Sequence, residues 1–365
     1  IAFVFGEELL KPGGPWGFVF AIKVLPVIIY FAALMAVLYH VGLMPRIVAV
    51  LAWLLRRSLG VSGPEALAMA ANVFVGQTEA PLCIKPYLAT MSRAGLMTLM
   101  IGGFATIAGS VLAGYVSFLE PGGEEAVQAM WIRHLLTASV MSAPAAFVMA
   151  RVLVPETSSE RSADTDTADE TNAGSAAEIE DASNLLDAAA NGATDGLKLA
   201  LNVGAMLIAF VALLALVNWP IESIGEWKPV DEWLANRGVE SLDLQTILSW
   251  IFAPFAWTMG VEWADAPLLG RLMGEKLVAT EFIAFGTLSQ AVNDPAGPAL
   301  AERSAAIGAY ALCGFANFGS IGIQIGGLSA IAPSRRKDFV SLAFKAMIGG
   351  AFASWMTASI AGVFL

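Results

Sequence analysis

The sequence predicts an all-α polytopic membrane protein made of inverted repeats, with two re-entrant helical hairpins and broken transmembrane helices. Three observations carry that prediction. Of 365 residues, 57% are hydrophobic and only 14% charged, whereas a soluble domain carries about 25% charged residues; the mean hydropathy is +0.69. Several apolar runs reach the roughly 20 residues a helix needs to cross about 30 Å of hydrocarbon. Two further apolar stretches are interrupted by Gly, Pro and charged residues, as re-entrant hairpins would be. The alternating strands of a membrane barrel would be shorter and half polar, so helices are the spanning element.

The elements follow in order. The chain opens with Ile1 and Phe3-Val4-Phe5-Gly6, without the basic n-region and small-residue cleavage site of a signal sequence; the start is read as a truncation that omits earlier helices. Residues 1–62 contain a span from Phe18 to Leu43, apolar except for Lys23 and His40. Residues 63–120 contain a hairpin, Gly63 to Leu88, and a helix, Leu96 to Leu119. Residues 121–155 contain the span Met130 to Val154, with Arg133 and His134 only near its start. Residues 156–195 form an acidic linker: Glu156 to Asp187 holds ten acidic residues against one base, Arg161, a net of −9 within the total of −11. Such a segment buries too little apolar surface to offset its ordering entropy, so it is expected to be solvated. Residues 196–243 supply the span Leu199 to Trp219, then Pro220 and a mostly acidic loop, Glu222 to Asp243. Residues 244–333 supply the second hairpin, Thr246 to about Phe285, and the run Ala305 to Ala332; residues 334–365 end in the span Phe339 to Leu365.

Basic residues locate the cytoplasm. Arg46, Arg56, Arg57, Arg93, Arg151, Arg335, Arg336 and Lys337 all fall inside if the two hairpins do not cross. The acidic linker is then cytoplasmic and the C-terminus outside, in a multi-pass protein of the cell membrane. Cys83 and Cys313 lie in apolar surroundings, so neither a disulfide framework nor a cysteine metal site is expected.

The halves resemble each other. Gly60-Val61 leads through Pro64-Glu65-Ala66 to Glu79, nineteen residues beyond the glycine, and Gly260-Val261 leads through Ala264-Asp265-Ala266 to Glu281, twenty-one residues on. Downstream, GFATIAGSV (Gly103 to Val111) parallels GFANFGSI (Gly314 to Ile321). Inverted repeats with broken helices recur in secondary transporters, whose sites lie near the bilayer midplane. A carboxylate at that depth costs roughly 2.5–3.5 kcal/mol and is functional by default. Glu79 stands beside Pro81, with Gln77 and Thr78 adding donors and acceptors at the same turn. Glu281 holds the corresponding place in the second hairpin. Asn317 and Ser320 share one helical face, as do Thr106 and Ser110. The bland alternatives are ion pairs, Glu79 with Lys85 and Glu281 with Lys276, and hydroxyls bonded back to their own helix.

GQTEAP (Gly76 to Pro81), GFATIAGSV and CGFANFGSIGI resemble the concentrative nucleoside transporter family, in an order covering nearly the whole chain. Its signature G-x-K-x-x-x-N-E-F-V-A is nearly matched by Gly274, Lys276, Glu281, Phe282 and Ala284, with Thr280 for Asn and Ile283 for Val. The resemblance implies a homotrimer whose protomers combine a scaffold (1–62, 121–155, 196–243 and 334–365) with a moving transport domain (63–120 and 244–333). It implies that Gln77, Thr78 and Glu79 bind the nucleobase, with Val111 packing on it. Glu281, Asn317 and Ser320 would bind the ribose hydroxyls, and Phe315 would line the sugar end. Sodium would sit among Asn72, Val75, Thr106 and Ile107, as coupling ion rather than cofactor. The function implied is sodium-coupled import by alternating access, with the nucleoside, sodium and lipid as partners and no nucleic acid. Proton coupling is the alternative. A channel, or an intramembrane enzyme using Glu79 and Glu281, fares worse, because polar residues gather around two hairpins and no nucleophile–histidine arrangement is evident.

Overall fold

The computed structural model describes residues 20–156, 182–236, 239, 241–293 and 299–365, and these fold as helices connected by turns. Most of the acidic linker, the chain start and the residues 237, 238, 240 and 294–298 lie outside the described residues.

After a single helical turn, Phe20–Lys23, helix α1 spans Leu25–His40. The interruption at Val24 is explained by Pro26 in the first turn, which has no N–H to continue a helix from behind. The expected span Phe18 to Leu43 therefore ends early. Gly42 opens a second helix, α2 (Leu43–Leu59), bent 78° away from α1. Helix α2 is amphipathic, carrying Arg46, Arg56 and Arg57 on exposed positions and burying Met44, Val48 and Leu55. Its charges are those of a helix lying along an interface rather than of a loop.

The first hairpin begins with α3 (Gly63–Asn72), started by a capping box in which Ser62 and Glu65 satisfy each other's backbone N–H groups. A turn over residues 73–79 leads into a 3₁₀ arm, Ala80–Tyr87, where Pro81 and Pro86 remove the donors an α-helix would need. The following span is broken as expected, into α4 (Arg93–Ala105) and α5 (Gly109–Leu119). Helix α6 (Glu125–Leu153) follows, with Arg151 at its end paired to buried Glu65 at 3.0 Å.

Helix α7 runs from Leu185 to Gly225, so the last part of the expected linker is helical. Asn184 starts it by accepting from the N–H groups of Leu186 and Asp187, both at 3.0 Å. Ser183 donates from its backbone and hydroxyl to the Asp187 carboxylate and holds it below its ordinary pKa. Along α7, Ala188, Gly192, Gly196, Ala200 and Gly204 recur every four residues, a small-residue ridge that lets two helix backbones approach closely. The partner is α1. A Cβ on Gly192 would lie 2.8 Å from the Ala32 carbonyl oxygen, and one on Gly196 2.8 Å from Ile29 Cα. Gly196→Leu is expected to force α1 and α7 apart and cost about 1–3 kcal/mol, read as a lower denaturation midpoint in detergent; Ile208→Ala, on the exposed face, should leave the midpoint nearly unchanged.

The second repeat is α8 (Lys228–Ala235), α9 (Leu244–Thr258), α10 (Ala266–Val278), α11 (Glu281–Asn293), α12 (Glu302–Leu312), α13 (Phe318–Ile331) and α14 (Arg336–Phe364). The hairpin expected from Thr246 to Phe285 is corrected: that stretch holds three helices. Helix α9 matches α2, and both end on a glycine with positive φ, Gly60 at 64° and Gly260 at 95°. Helices α9 and α10 pack closely and antiparallel, Ser249 donating to the Pro267 carbonyl at 2.6 Å and Leu248 filling the space a side chain at Gly274 would need. The counterpart of the first hairpin is α10–α11, joined at Ala279 and Thr280.

Both repeat motifs mark a break, at different points. In the first copy GFA ends helix α4 and the chain unwinds at Thr106–Ala108; in the second the break falls across Gly314-Phe315-Ala316. Gly314 adopts φ 89° because its backbone lies against Ala105, where a Cβ would come within 2.7 Å of the carbonyl oxygen. The two unwound regions are thus back to back. Among the described residues three helices are long and apolar enough to cross a membrane, Arg93–Leu119, Glu125–Leu153 and Pro333–Phe364, and the bent pair α1–α2 makes a fourth if it is counted as one span.

Candidate functional site

The site is assembled at helix beginnings. Glu281 is the first residue of α11, Asn317 is the N-cap of α13, and Glu79 precedes the 3₁₀ arm. Unpaired N–H groups and the positive end of a helix dipole favour acidic and polar partners at such places. Glu281, Asn317 and Ser320 come together as expected. Asn317 Nδ2 donates to Glu281 Oε2 at 2.7 Å, while Asn317 Oδ1 accepts from the Ser320 N–H at 2.8 Å. All three are buried. Tyr115 of α5, stacked on Phe285 at 4.1 Å and edge-on to Phe282, walls the group on one side.

Neither bland ion pair forms among the described residues. Lys276 is fully buried and donates to the Ala311 and Cys313 carbonyls at 3.1 and 2.7 Å, at the end of α12. Glu281 is therefore left with an amide partner and without a cation in contact. Thr280, which departs from the signature, accepts from the Ile283 N–H through its hydroxyl at 3.4 Å. Its hydroxyl thus serves one N–H of the first turn of α11.

The first hairpin tip reaches the second repeat directly. Gln77 Oε1 accepts from Gln324 Nε2 of α13 at 3.4 Å, and Thr78 lies against Gly327, where a Cβ would be 3.0 Å from its methyl group. Glu79 is exposed and folds back over Gly76, where any side chain would collide with its carboxylate. No hydrogen bond joins Glu79 to the Glu281 group among the described residues; the halves meet through Gln77 and α13. Val111 is buried on α5 and half-buried Phe315 packs in the same apolar cluster. Ser110 is buried beside Val111.

Asn72, Val75, Thr106 and Ile107 also converge, where the first tip meets the break between α4 and α5. The tip and break are tied by Gly109 N–H to the Phe74 carbonyl at 2.9 Å, and by Ser139, which donates to the Val73 carbonyl at 3.0 Å and accepts from the Ile107 N–H at 3.4 Å. The Thr106 hydroxyl bonds back to the Gly102 carbonyl at 2.8 Å, which leaves its own oxygen able to accept. Asn72 is buried with neither its oxygen nor its nitrogen hydrogen-bonded. A buried amide left without partners costs about 1–3 kcal/mol, and an oxygen-seeking cation would satisfy its Oδ1. Sequence reasoning missed Gln324 and Tyr115. Gln324 stands four residues after Ser320 and seven after Asn317, a helical face that continues the named pair.

A family model described as "Na+ dependent nucleoside transporter C-terminus" matches residues 134–362, and one described as "Nucleoside recognition" matches residues 21–122. An uncharacterized transporter of Haemophilus influenzae is 43% identical over 366 residues, covering 100% of this chain and 81% of its own length. Sodium/nucleoside cotransporter 1 of Rattus norvegicus is 40% identical over 372 residues; the match takes in 99% of this chain and about half, 52%, of the rat protein. The structure of CNTnw in an inward-facing substrate-bound state superimposes with a TM-score of 0.84 at 41% identity, covering 100% of this chain and 80% of that one.

Proposed function

This chain belongs to the Na+-dependent, concentrative nucleoside transporter family, and from that premise we propose that it imports nucleosides by sodium-coupled symport with alternating access. The observation that carries the reading is the buried Glu281–Asn317–Ser320 group, an acid held by an amide with no counter-cation in contact. Ribose diols can donate to such a carboxylate and accept from such an amide. Gln77, Thr78 and Glu79 take the nucleobase, Val111 packs on it, and Phe315 lines the sugar end. The base edge offers donors and acceptors that match an amide and a carboxylate.

Sodium is held by the side-chain oxygens of Asn72 and Thr106 and the carbonyls of Val75 and Ile107. The unpartnered Asn72 supports this, because a hard cation wants oxygen ligands. Sodium binding would organise the first tip, after which the nucleoside binds and residues 63–120 and 244–333 move against the remaining helices. We place the protein as a homotrimer in the cell membrane, with the C-terminus outside.

Uptake of labelled uridine into proteoliposomes tests the reading. An inward sodium gradient should drive accumulation above equilibrium, and choline in place of sodium should abolish it. Accumulation driven by a proton gradient alone would assign the coupling ion to protons; equilibration without accumulation would indicate a channel. Asn72→Ala should weaken apparent sodium affinity by about tenfold or more, as expected when a ligand of several is removed, one tenfold step being 1.4 kcal/mol.

A further inference from the structure

Gln324 is buried on α13, remote in sequence from the first hairpin. Its Nε2 faces the Met100 carbonyl oxygen at 3.0 Å and the Gln77 side chain at 3.4 Å. A backbone carbonyl only accepts, so the Gln324 atom facing Met100 has to be the NH2 group. That same nitrogen faces Gln77, so the Gln77 atom it meets has to be the carbonyl oxygen. The Gln77 NH2 is thereby the free end of its amide. Gly103 of α4 makes the arrangement possible: a Cβ there would lie 2.7 Å from Gln324 Nε2 and 2.8 Å from Gln77 Cβ.

We infer that Gln324 is a positioning residue that fixes the hydrogen-bonding polarity of Gln77, and so sets which nucleobase edges the site prefers. The inference rests on the reading above in which Gln77 meets the base. With Gln324 in place, Gln77 offers donors beside the acceptor carboxylate of Glu79. That pair suits an edge in which an acceptor adjoins a donor, as in uracil, where a carbonyl adjoins N3–H. The anchor is a main-chain carbonyl of α4, so the polarity does not depend on a side chain free to rotate.

The test is a set of uptake measurements in proteoliposomes with uridine and cytidine. Gln324→Leu releases Gln77 from its partner; the KM for uridine should rise about tenfold, one neutral hydrogen bond's share, with a smaller change in Vmax. Gln324→Glu goes further. Its side chain meets the Met100 carbonyl as a protonated acid, the O–H donating there, which leaves its other oxygen only able to accept; it would draw the Gln77 NH2 towards itself and turn the Gln77 carbonyl to the base. The KM ratio should then shift in favour of cytidine, whose exocyclic amine donates, over uridine. In a Gln77→Leu background, the same Gln324 substitutions should leave the ratio unmoved. A merely structural Gln324 would lower Vmax for both nucleosides alike and leave their KM ratio as in the wild type, and that result overturns the inference. If Gln77→Leu itself leaves KM unchanged, or the wild type accumulates no uridine, the underlying reading of the site fails instead.

Discussion

Asn317→Ala should reduce sodium-driven nucleoside uptake by roughly a hundredfold while the protein still inserts and folds. Asn317 does two things with one amide. Its nitrogen donates to Glu281 at 2.7 Å and its oxygen caps α13 through the Ser320 N–H at 2.8 Å. Losing an N-cap costs about 1 kcal/mol. Losing a hydrogen bond to a charged group costs roughly 1.5–3 kcal/mol, which at 1.4 kcal/mol per tenfold reaches about two orders of magnitude in uptake, while the cap loss is read as stability. Two further substitutions separate the roles. Asn317→Ser retains a cap but is too short to reach Glu281, so it should recover stability without recovering uptake. Asn317→Asp retains the cap and sets one carboxylate against another at a buried site; its uptake should be the lowest of the three. Uptake by Asn317→Ala at the wild-type level would remove Asn317 from the substrate group.

Much of this arrangement was legible in the sequence because the signals were local and chemical. Pro81 beside Glu79 announced an interruption of the helix, and the paired GFA motifs announced two breaks. Glu281, Asn317 and Ser320 were recognisable because polar residues in an apolar run need a reason. What was not legible depended on partners far away in the chain. Helix α2 reads as a basic loop until its apolar face is seen packed, since Arg46, Arg56 and Arg57 dominate its composition. Helix α9 is as apolar as the hairpin that follows it, so periodicity alone cannot say where one ends. The offset between the two breaks is set by the contact of Gly314 with Ala105, a pairing across more than two hundred residues. Gln324 carried a readable signal, its four-residue spacing from Ser320, but its meaning comes from Met100 and Gln77 on other elements. Thr280, a departure from the signature, accepts from the Ile283 N–H at the start of α11, a contact that its neighbours in sequence do not announce.

Lys276→Met should be nearly as damaging as losing Asn317, by a different route. The ammonium group is fully buried, 3.1 Å from the Ala311 carbonyl and 2.7 Å from that of Cys313. These oxygens lie at the end of α12, where carbonyls lack helical partners and the helix dipole is negative. Four residues beyond Cys313 stands Asn317. Lys276 therefore ties α10 to the break that delivers Asn317 to Glu281. Methionine matches the lysine stem in length but donates nothing, leaving buried carbonyls short of partners and the dipole uncompensated. A buried acceptor left unsatisfied costs about 1–3 kcal/mol. The expected result is a denaturation midpoint lowered by several degrees in detergent, with uptake lost even in the fraction that folds. Ser354 also donates to the Cys313 carbonyl, at 2.7 Å, so Ser354→Ala should be milder, because Lys276 still satisfies that oxygen. Combining the two should cost more than their sum, since each then removes the other's substitute. A Lys276→Met protein with wild-type stability would mean that water takes over the Ala311 carbonyl while Ser354 keeps that of Cys313, and that α12 holds its end without the lysine.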